Sequence, residues 1–265
     1  MNKKILITGG PSNEYIDEVM KITNMSSGRI ATELALEFLT DWNEVTLLIT
    51  KGVKGPNIDV LQKSPKARVV RFETTEELYN ALKAESEKEH YDVVVHSAAV
   101  ADYKPEFSFR AEDMAMEILG YIMRNQENIG EGAIAQEEMY DALFETLTNP
   151  VCKVNDDTKI SSCEPNLTVK LGLTPKIIAS LREWFPDAII CGFKLLENVP
   201  QEELVEAAYK QITKCRTNFC FANDLAELRK GSNMRLVVMP DGSHDVQVDG
   251  ATGIANFLKF AMRDN

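Results

Sequence analysis

Short apolar segments alternate with amphipathic segments along most of the 265-residue chain. Several of the short segments are apolar throughout, which is typical of parallel strands that are covered on both faces. The pattern predicts strands over residues 4–8, 44–50, 67–72, 91–97, 188–193, 218–222 and 234–239. We therefore expect an α/β fold with a doubly wound, mainly parallel, Rossmann-like sheet.

Helices are expected between these strands, because apolar residues recur there at three-and-four spacing. The predicted helices cover residues 27–39, 74–89, 174–184, 200–214 and 251–263. Thr74 and Glu77 fit a capping box, and Thr174 stands as a cap residue before Pro175 in a first turn. At the carboxyl end, Asp241-Gly242 is expected as a two-residue turn between strand 234–239 and a last strand at 244–248, which predicts a C-terminal hairpin.

One stretch, residues 103–166, shows no convincing strand. Residues 114–125 and 136–146 are typical of helices, and residues 126–132 are interpreted as a connector. A long excursion inside a compact domain is plausible when it is a lid or arm with helices of its own. We predict one α/β nucleotide-binding domain over residues 1–265, with a mobile helical lid or arm inserted at about 103–166 over the site.

Charge and composition exclude several classes of function. Lys and Arg number 29 against 41 Asp and Glu, a net charge of -12. Because nucleic acid and anionic lipid attract the opposite sign, we expect neither as a partner. The chain has no apolar run of eighteen residues and no secretory leader, so a cytoplasmic location is expected. Five cysteines without a C-x-x-C pair favour reduced thiols, and three scattered histidines do not suggest a histidine metal site.

Two glycine- and hydroxyl-bearing segments are candidates for phosphate binding. Gly9 and Gly10 follow the first strand in a turn where missing side chains let a ligand approach the backbone. Ser26, Ser27 and Gly28 open the first long helix, where free N–H groups and the helix dipole favour an anion. The alternatives are a tight turn at the glycines and plain helix capping by the serines.

Three further segments carry candidate residues. The fourth strand ends with His96, Ser97 and Ala98, and Asp102 follows as a hydrogen-bond acceptor for a ligand. The alternatives are that His96 is a buried structural histidine and that Asp102 caps the next segment. Lys159 lies after the excursion, where a closing loop can bring a cation to a developing negative charge. Lys210 and Lys214 share one helical face, and a solvated face is the alternative. The candidate residues of these three segments are His96, Ser97, Ala98, Asp102, Lys159, Lys210 and Lys214.

Motifs in a matching order give these residues a context. They are ILITGG, EYID and ITNMSSGR at the front, then HSAAVADY, KISS, LGLTPKII, GFKLLEN and FANDLAE. The sequence thereby resembles the phosphopantothenate–cysteine ligases of coenzyme A biosynthesis, particularly the short stand-alone bacterial type. The resemblance implies that CTP, or alternatively ATP, activates 4'-phosphopantothenate as an acyl-nucleotide, with Mg²⁺ bridging the triphosphate. Cysteine then attacks, and family members are homodimers.

The resemblance also implies roles for individual residues. Asn24 matches the asparagine that holds the acyl-nucleotide, and Lys159 matches the flexible-loop lysine needed for catalysis. With the glycines and serines above, nucleotide binding is expected at Gly9, Gly10, Ser26, Ser27, Gly28, His96, Ser97, Ala98, Asp102, Gly172, Leu173, Thr174, Pro175, Phe193, Lys210 and Lys214.

The chain departs from the family pattern at three positions: Pro11 replaces a threonine, Met20 an arginine and Ala31 a glycine. The arginine is expected to help hold the phosphate of phosphopantothenate, and neighbouring Lys21 offers a point charge instead of a planar fork. Residues 103–158 also look longer than the family norm. An alternative is therefore a catalytically weakened nucleotide-binding relative with a regulatory or assembly role. A third hypothesis, an NAD(P)-dependent reductase, lacks the glycine fingerprint.

Overall fold

The computed structural model describes residues 3–41, 43–130, 136–154 and 159–263 of the chain. They fall into two compact units. Unit 1 comprises Met1–Ser12, Asn24–Ala101 and Pro175–Asn265, and unit 2 comprises Asn13–Thr23 and Asp102–Thr174.

In the described ranges the strands are, in chain order, β1 (Lys4–Gly9), β2 (Asn13–Tyr15), β3 (Lys21–Thr23), β4 (Glu44–Thr50), β5 (Ala67–Phe72), β6 (Val93–His96), β7 (Tyr103–Arg110), β8 (Lys153–Val154), β9 (Leu167–Leu173), β10 (Ile189–Leu196), β11 (Phe219–Asp224), β12 (Met234–Val238) and β13 (Val246–Asp249). The helices in the same ranges are α1 (Arg29–Leu39), α2 (Pro56–Lys63), α3 (Thr75–Lys88), α4 (Ala111–Arg124), α5 (Gln126–Gly130), α6 (Gln136–Thr148), α7 (Ile177–Trp184), α8 (Gln201–Cys215), α9 (Leu225–Arg229) and α10 (Gly250–Ala261).

Unit 1 contains a large sheet in the order β13-β12-β11-β10-β6-β1-β4-β5. Neighbouring strands from β11 to β5 are parallel, and the pairs β11–β12 and β12–β13 are antiparallel. The chain moves outward from β1 to β4 and β5, then returns to β6 on the other side of β1. The predicted doubly wound, mainly parallel sheet is confirmed, and its order reverses between β1 and β6.

The core of unit 1 lies on both faces of this sheet. In β1, Ile5 and Ile7 pack on the face that α1 and α10 cover. Leu6 points to the opposite face, where it packs with residues of α3 and α7. Because alternate side chains are buried on both faces, the strand is apolar throughout, as the sequence pattern predicts.

Two helix starts test the capping predictions. Thr74 caps α3, since its Oγ1 accepts a hydrogen bond from the N–H of Glu77 at 3.1 Å. The prediction for residues 174–184 is wrong at its start: α7 begins at Ile177, so Thr174 and Pro175 precede the helix. The N–H of Thr174 instead donates to the carbonyl of Asp102 at 3.0 Å, which keeps the residue in extended chain.

Unit 2 combines a small antiparallel sheet, in the order β8-β7-β9, with the β2–β3 hairpin and helices α4 to α6. The predicted helices at 114–125 and 136–146 are confirmed. The expectation that residues 103–166 contain no strand is wrong, because β7 and β8 lie there. Pro105 and a register shift before Phe107 interrupt the apolar alternation of β7, which hides the strand in the sequence.

Two other local predictions need correction. The connector expected at 126–132 begins as the short helix α5, and residues 131 and 132 lie outside the described ranges. The C-terminal hairpin is present, but its strands end at Val238 and begin at Val246. Asp241 and Gly242 therefore lie in a longer loop, where the N–H of Gly242 donates to the carbonyl of Met239 at 3.0 Å. None of the described helices is long and apolar enough to cross a membrane.

Candidate functional site

The carboxyl ends of β1 and β6 form the edge of unit 1 where a ligand is expected, because the strand order reverses there. Gly9 ends β1, and a Cβ at this position would collide with the Cβ of Ala31 in α1. Gly10 and Gly28 have positive φ values of 79° and 69°. A Cβ on Gly28 would lie 3.2 Å from the nitrogen of Gly10. The glycines thus allow α1 to begin directly against the turn after β1.

Asn24 fastens the segment before α1 to the loop that follows β6. Its exposed side chain donates from Nδ2 to the carbonyls of Ala99 at 3.2 Å and Val100 at 3.0 Å. The ITNMSSGR and HSAAVADY motifs, 75 residues apart at this contact, therefore meet in unit 1. The structure brings Asn24 next to the strand edge at which the sequence predicts ligand binding.

The serines before α1 make local hydrogen bonds, and Gly28 occupies the cap position of the helix. Ser26 Oγ accepts from the N–H of Gly28 at 3.4 Å, and Ser27 Oγ accepts from the N–H of Arg29 at 3.3 Å. Each hydroxyl thus bonds the residue two positions ahead of it, and neither serine is the cap residue of α1. Because an orphan N–H group and a helix dipole still favour an anion at a helix start, phosphate binding at this segment stays a prediction.

His96 is buried, with 7% of its surface exposed. Its Nδ1 lies 2.9 Å from Oγ1 of Thr8, and that oxygen also accepts from the N–H of Ala98 at 3.3 Å. Burial, assisted by the positive charge of Lys176, lowers the pKa of His96 to about 4. The imidazole is thus neutral at physiological pH, which matches the structural alternative for this residue. Ser97 is fixed beside it, since its Oγ donates to the carbonyl of Thr8 at 2.7 Å.

The structure does not bring Phe193 together with the two lysines of α8. Phe193 packs against Phe221 with ring centroids 5.3 Å apart, on the sheet face covered by α1 and α10. Helix α8 covers the opposite face. Lys210 is exposed there and pairs with Glu206 at 2.5 Å, and Lys214 is exposed as well. The solvated-face alternative describes these lysines in this structure.

In unit 2, four of the predicted nucleotide-binding residues lie together where β7 begins and β9 ends. The chain pairs Tyr103 with Leu173 and Lys104 with Gly172. A Cβ on Gly172 would meet the side-chain carboxylate of Glu106, which would have to move to make room for it. Asp102 and Thr174 close the pair of strands through their backbone bond. Pro175 follows as the first residue of the next part of unit 1.

Lys159 is exposed in unit 2, and its neighbour Ile160 is anchored by a carboxylate that the sequence analysis did not single out. Asp17 accepts from the N–H of Ile160 at 2.9 Å through Oδ2. Its Oδ1 accepts from the N–H groups of Val19 at 2.7 Å and Met20 at 2.6 Å. These backbone bonds, with that of Met20 the largest cause, hold the pKa of Asp17 below its ordinary value. The EYID motif is the signal that marks this residue, whereas its partner 143 residues away is visible only in the fold.

Known proteins resemble this chain in sequence and in fold. The model of the DNA/pantothenate metabolism flavoprotein (DFP) C-terminal domain family matches residues 1–114. Residues 1–114 therefore match a DFP domain. The resemblance to the phosphopantothenate–cysteine ligases of coenzyme A biosynthesis, inferred from the sequence motifs, is confirmed by this match and by the CoaBC relatives.

Sequences and solved structures similar to this chain are also found. The coenzyme A biosynthesis bifunctional protein CoaBC of Thermococcus kodakarensis is 30% identical over 239 residues, which cover 90% of this chain and 45% of that protein. The DNA/pantothenate metabolism flavoprotein from Streptococcus pneumoniae has a TM-score of 0.75 at 26% identity, over 99% of both chains. A Cab2 mutant in complex with phosphopantothenate-cysteine has a TM-score of 0.66 at 17% identity, over 99% of this chain and 87% of that one, which shows the fold alone. The chain spans less than half the length of the CoaBC relatives.

The three departures from the family pattern all fall within the DFP domain. The Cβ of Ala31 fits against β1 because Gly9 has no Cβ. Pro11 forms a bridge with Ala99, and its carbonyl accepts a hydrogen bond from Oγ1 of Thr50. Met20 lies at the end of the β2–β3 turn with 39% of its surface exposed. Its backbone is held by Asp17, so the substitution changes the side chain presented by an otherwise well-anchored turn.

The expected magnesium ion finds no preformed protein cage in the described ranges. No group of three or more His, Cys, Asp or Glu side chains is placed there to hold a metal ion. Mg²⁺ usually retains waters and binds through substrate phosphates with one or two carboxylates. We therefore assign no metal ligands in the DFP domain and derive no chemical step through a protein-held ion.

Proposed function

We propose that this chain is a phosphopantothenate–cysteine ligase that uses CTP, with ATP as the alternative nucleotide. The observation that carries the proposal is the contact of Asn24 with the carbonyls of Ala99 and Val100 at the switch point of the sheet. This contact brings the ITNMSSGR and HSAAVADY motifs together beside the start of α1. The match to the DFP family and the CoaBC relatives supports the assignment.

The proposed reaction has two steps. The carboxylate of 4'-phosphopantothenate attacks the α-phosphorus of the triphosphate, so that an acyl-nucleotidyl anhydride forms and pyrophosphate leaves. The amine of cysteine then attacks the acyl carbon, the nucleoside monophosphate leaves, and the amine loses a proton. Activation is needed because a carboxylate is a poor electrophile toward an amine. Mg²⁺ would neutralise the charge of the departing pyrophosphate.

The chain's own residues would bind and orient these anionic groups. N–H groups at the start of α1, next to Gly28, are suited to phosphate oxygens. Asn24 would position the anhydride; because its Nδ2 already donates to two carbonyls, its first effect is to hold the segment in place. Lys159 would supply a cation to the charge that develops on phosphate, and Asp17 fixes the backbone next to it.

Turnover of Lys159→Gln tests the proposal. Pyrophosphate release is measured with CTP, 4'-phosphopantothenate and cysteine, and with ATP in place of CTP. We expect the variant to lose about 100-fold or more in kcat, as removal of one stabilising donor does elsewhere, with unchanged unfolding. Lys83→Gln, which removes an exposed lysine on α3, serves as the control for charge. Equal turnover in Lys159→Gln and the wild type would contradict the role of Lys159.

A weakened nucleotide-binding relative is the second candidate function, and Met20 is the observation that favours it. A methionine cannot replace the charge of an arginine toward a phosphate. If the folded wild-type chain binds CTP without releasing pyrophosphate, this candidate replaces the ligase. Restoration of turnover by Met20→Arg would assign the loss to that side chain.

We also propose a homodimer in the cytoplasm. Large apolar side chains are exposed on the two longer helices of unit 2, including Met116 and Met123 on α4 and Tyr140 and Phe144 on α6. Apolar surface of this kind is typical of an interface between subunits. Light scattering of wild type and Phe144→Glu tests this: we expect a dimer and a weakened dimer, and a monomeric wild type would refute the proposal.

A further inference from the structure

Helix α8 places one amide side chain, that of Gln211, directly against the large sheet of unit 1. A Cβ on Gly192 of β10 would meet Nε2 of Gln211, so the amide rests on the backbone of that glycine. Gly192 pairs with His96, the last residue of β6, and with Cys220 of β11. The amide of Gln211 therefore lies at the level where β6 ends, on the sheet face that α7 and α8 cover.

The edge of the sheet has a step at this position. β10 and β11 each continue for four residues beyond the pairing of Gly192 with its neighbours. β6 ends at that pairing, and β1 ends one residue later. The protruding ends of β10 and β11 thus form a wall beside the carboxyl ends of β1 and β6, where the reversal of strand order favours a ligand.

A nucleotide bound at the start of α1 is long enough to reach this wall. Neighbouring strands lie about 4.8 Å apart, so β10 is about 10 Å from β1, with β6 between them. An extended nucleoside triphosphate is longer than that distance. With its phosphates on the N–H groups beside Gly28, its base reaches the foot of the wall, where the amide of Gln211 lies.

The contact of Gln211 with Cys220 fixes which end of the amide faces a ligand. Nε2 of Gln211 donates to Sγ of Cys220 at 3.5 Å. Burial raises the pKa of this thiol to about 12, against the opposing charge of Lys194, so the sulfur is neutral. Among the described residues, no donor is placed on Oε1 of Gln211. With its nitrogen directed to the buried thiol, Gln211 presents its carbonyl oxygen, a hydrogen-bond acceptor, to a ligand.

The bases of nucleotides differ in the group that would meet this oxygen. Cytosine and adenine carry an exocyclic amino group, which is a donor, where uracil and hypoxanthine carry a carbonyl oxygen. We propose that Gln211 is a specificity-determining residue: its Oε1 accepts a hydrogen bond from the amino group of the base and disfavours a base with a carbonyl there. The inference rests on the proposed function, because it takes a nucleotide to bind at the switch point of the sheet. It adds the group that selects CTP or ATP from other triphosphates.

Binding of two matched pairs of triphosphates tests the inference by calorimetric titration. CTP is compared with UTP, and ATP with inosine triphosphate, because the members of each pair differ chiefly in an amino group against a carbonyl at one edge of the base. For the wild type, we expect the amino-bearing member of at least one pair to bind about tenfold more tightly than the other. The pair that responds shows whether the base is a pyrimidine or a purine.

Two variants assign this preference to the amide. Gln211→Met keeps the length of the side chain but removes the oxygen, so the ratio of affinities within the pair should fall to about threefold or less. Cys220→Ala removes the sulfur that orients the amide, which then turns its N–H toward a carbonyl, so UTP or inosine triphosphate should bind more tightly than to the wild type. Gln201→Met, at an exposed glutamine of the same helix, is the matched control, and thermal unfolding identifies the folded variants.

The outcomes separate this inference from the ligase proposal. Equal binding within both pairs by the wild type, or an unchanged ratio in folded Gln211→Met, would overturn the inference, and pyrophosphate release by the same wild type would leave the ligase proposal intact. A preference that depends on Gln211 in a chain that releases no pyrophosphate would do the reverse. If none of the four triphosphates binds, both are refuted. A merely structural role of Gln211 would lower the Tm without changing the ratio of affinities.

Discussion

Protonation of His96 should make a measurable part of the stability of this chain depend on pH. In the folded chain, burial and the charge of Lys176 lower its pKa to about 4, whereas an unfolded histidine titrates near 6.5. The unfolded state therefore binds the proton more readily. The contribution of neutral His96 is fully present above pH 6.5 and is lost as the pH falls toward 4.

The size of the effect follows from the two pKa values. Each pKa unit corresponds to about 1.4 kcal/mol, so the whole loss between pH 6.5 and 4 is about 3 kcal/mol. Because protonation is linked to unfolding, about 1 kcal/mol of this loss of stability occurs above pH 5.5. The physical origin is the burial of the imidazole, which penalises its charged form, with the positive charge of Lys176 as the second cause.

Urea denaturation from pH 7.5 to 5 in the wild type and His96→Asn measures this contribution. The asparagine leaves a small cavity, which lowers stability equally at every pH, so only the change in the difference between the two proteins is informative. We expect that difference to shrink by about 1–2 kcal/mol on going to pH 5. His90→Asn, at an exposed histidine, is the matched control. Parallel curves for wild type and His96→Asn would refute the assignment of a neutral, buried imidazole.

Three further substitutions test the site. Asn24→Asp should lower turnover by about tenfold or more, because a carboxylate cannot donate to the carbonyls of Ala99 and Val100 and repels an anionic intermediate; normal pyrophosphate release would contradict this. Asp17→Asn should lower kcat more than it raises KM, because the NH₂ group of an asparagine would face one of the N–H groups from which Asp17 now accepts a hydrogen bond. Asp17→Glu should recover part of the loss, and steady-state kinetics of both variants test this. Gly9→Ala should destabilise the chain by about 1–3 kcal/mol through its clash with Ala31, and adding Ala31→Gly should restore most of it in the same urea assay; additive losses would refute the clash.

The sheet of unit 1 was predictable because its strands are buried on both faces. Strands 44–50 and 67–72 have the bounds expected from the sequence, and β6 is shorter than expected by residues at both ends. Apolar runs of this kind are unambiguous when turn residues bound them. In β7, by contrast, Phe107 and Phe109 keep the alternation of a strand, while Pro105 and Glu106 break it at the register shift. Local pattern alone does not reveal a strand that an irregular pairing maintains.

The candidate site was predictable only in part, for a similar reason. Glycines with positive φ and a serine-rich helix start leave signals within a few residues, so Gly10 and Gly28 were accessible to sequence reasoning. The hydrogen bond from the N–H of Ile160 to Asp17 joins residues that are 143 positions apart, and the sequence of neither segment predicts this contact.

Because the net charge of the chain is -12, the positions of its cationic side chains determine where a phosphorylated ligand can bind. An acidic chain repels phosphorylated ligands at long range, so its phosphate sites must act at contact distance, through N–H groups and a few local cations. The N–H groups at the start of α1 and the guanidinium of Arg29 lie on the same helix turn, and Asn233 joins that turn to the buried Arg235. Buried groups are screened less than exposed ones. Phosphate affinity that depends on the N–H groups beside the buried Gly28 should therefore fall less with added salt than affinity that depends on the exposed Lys210 and Lys214, and the reverse order would place the phosphate on α8.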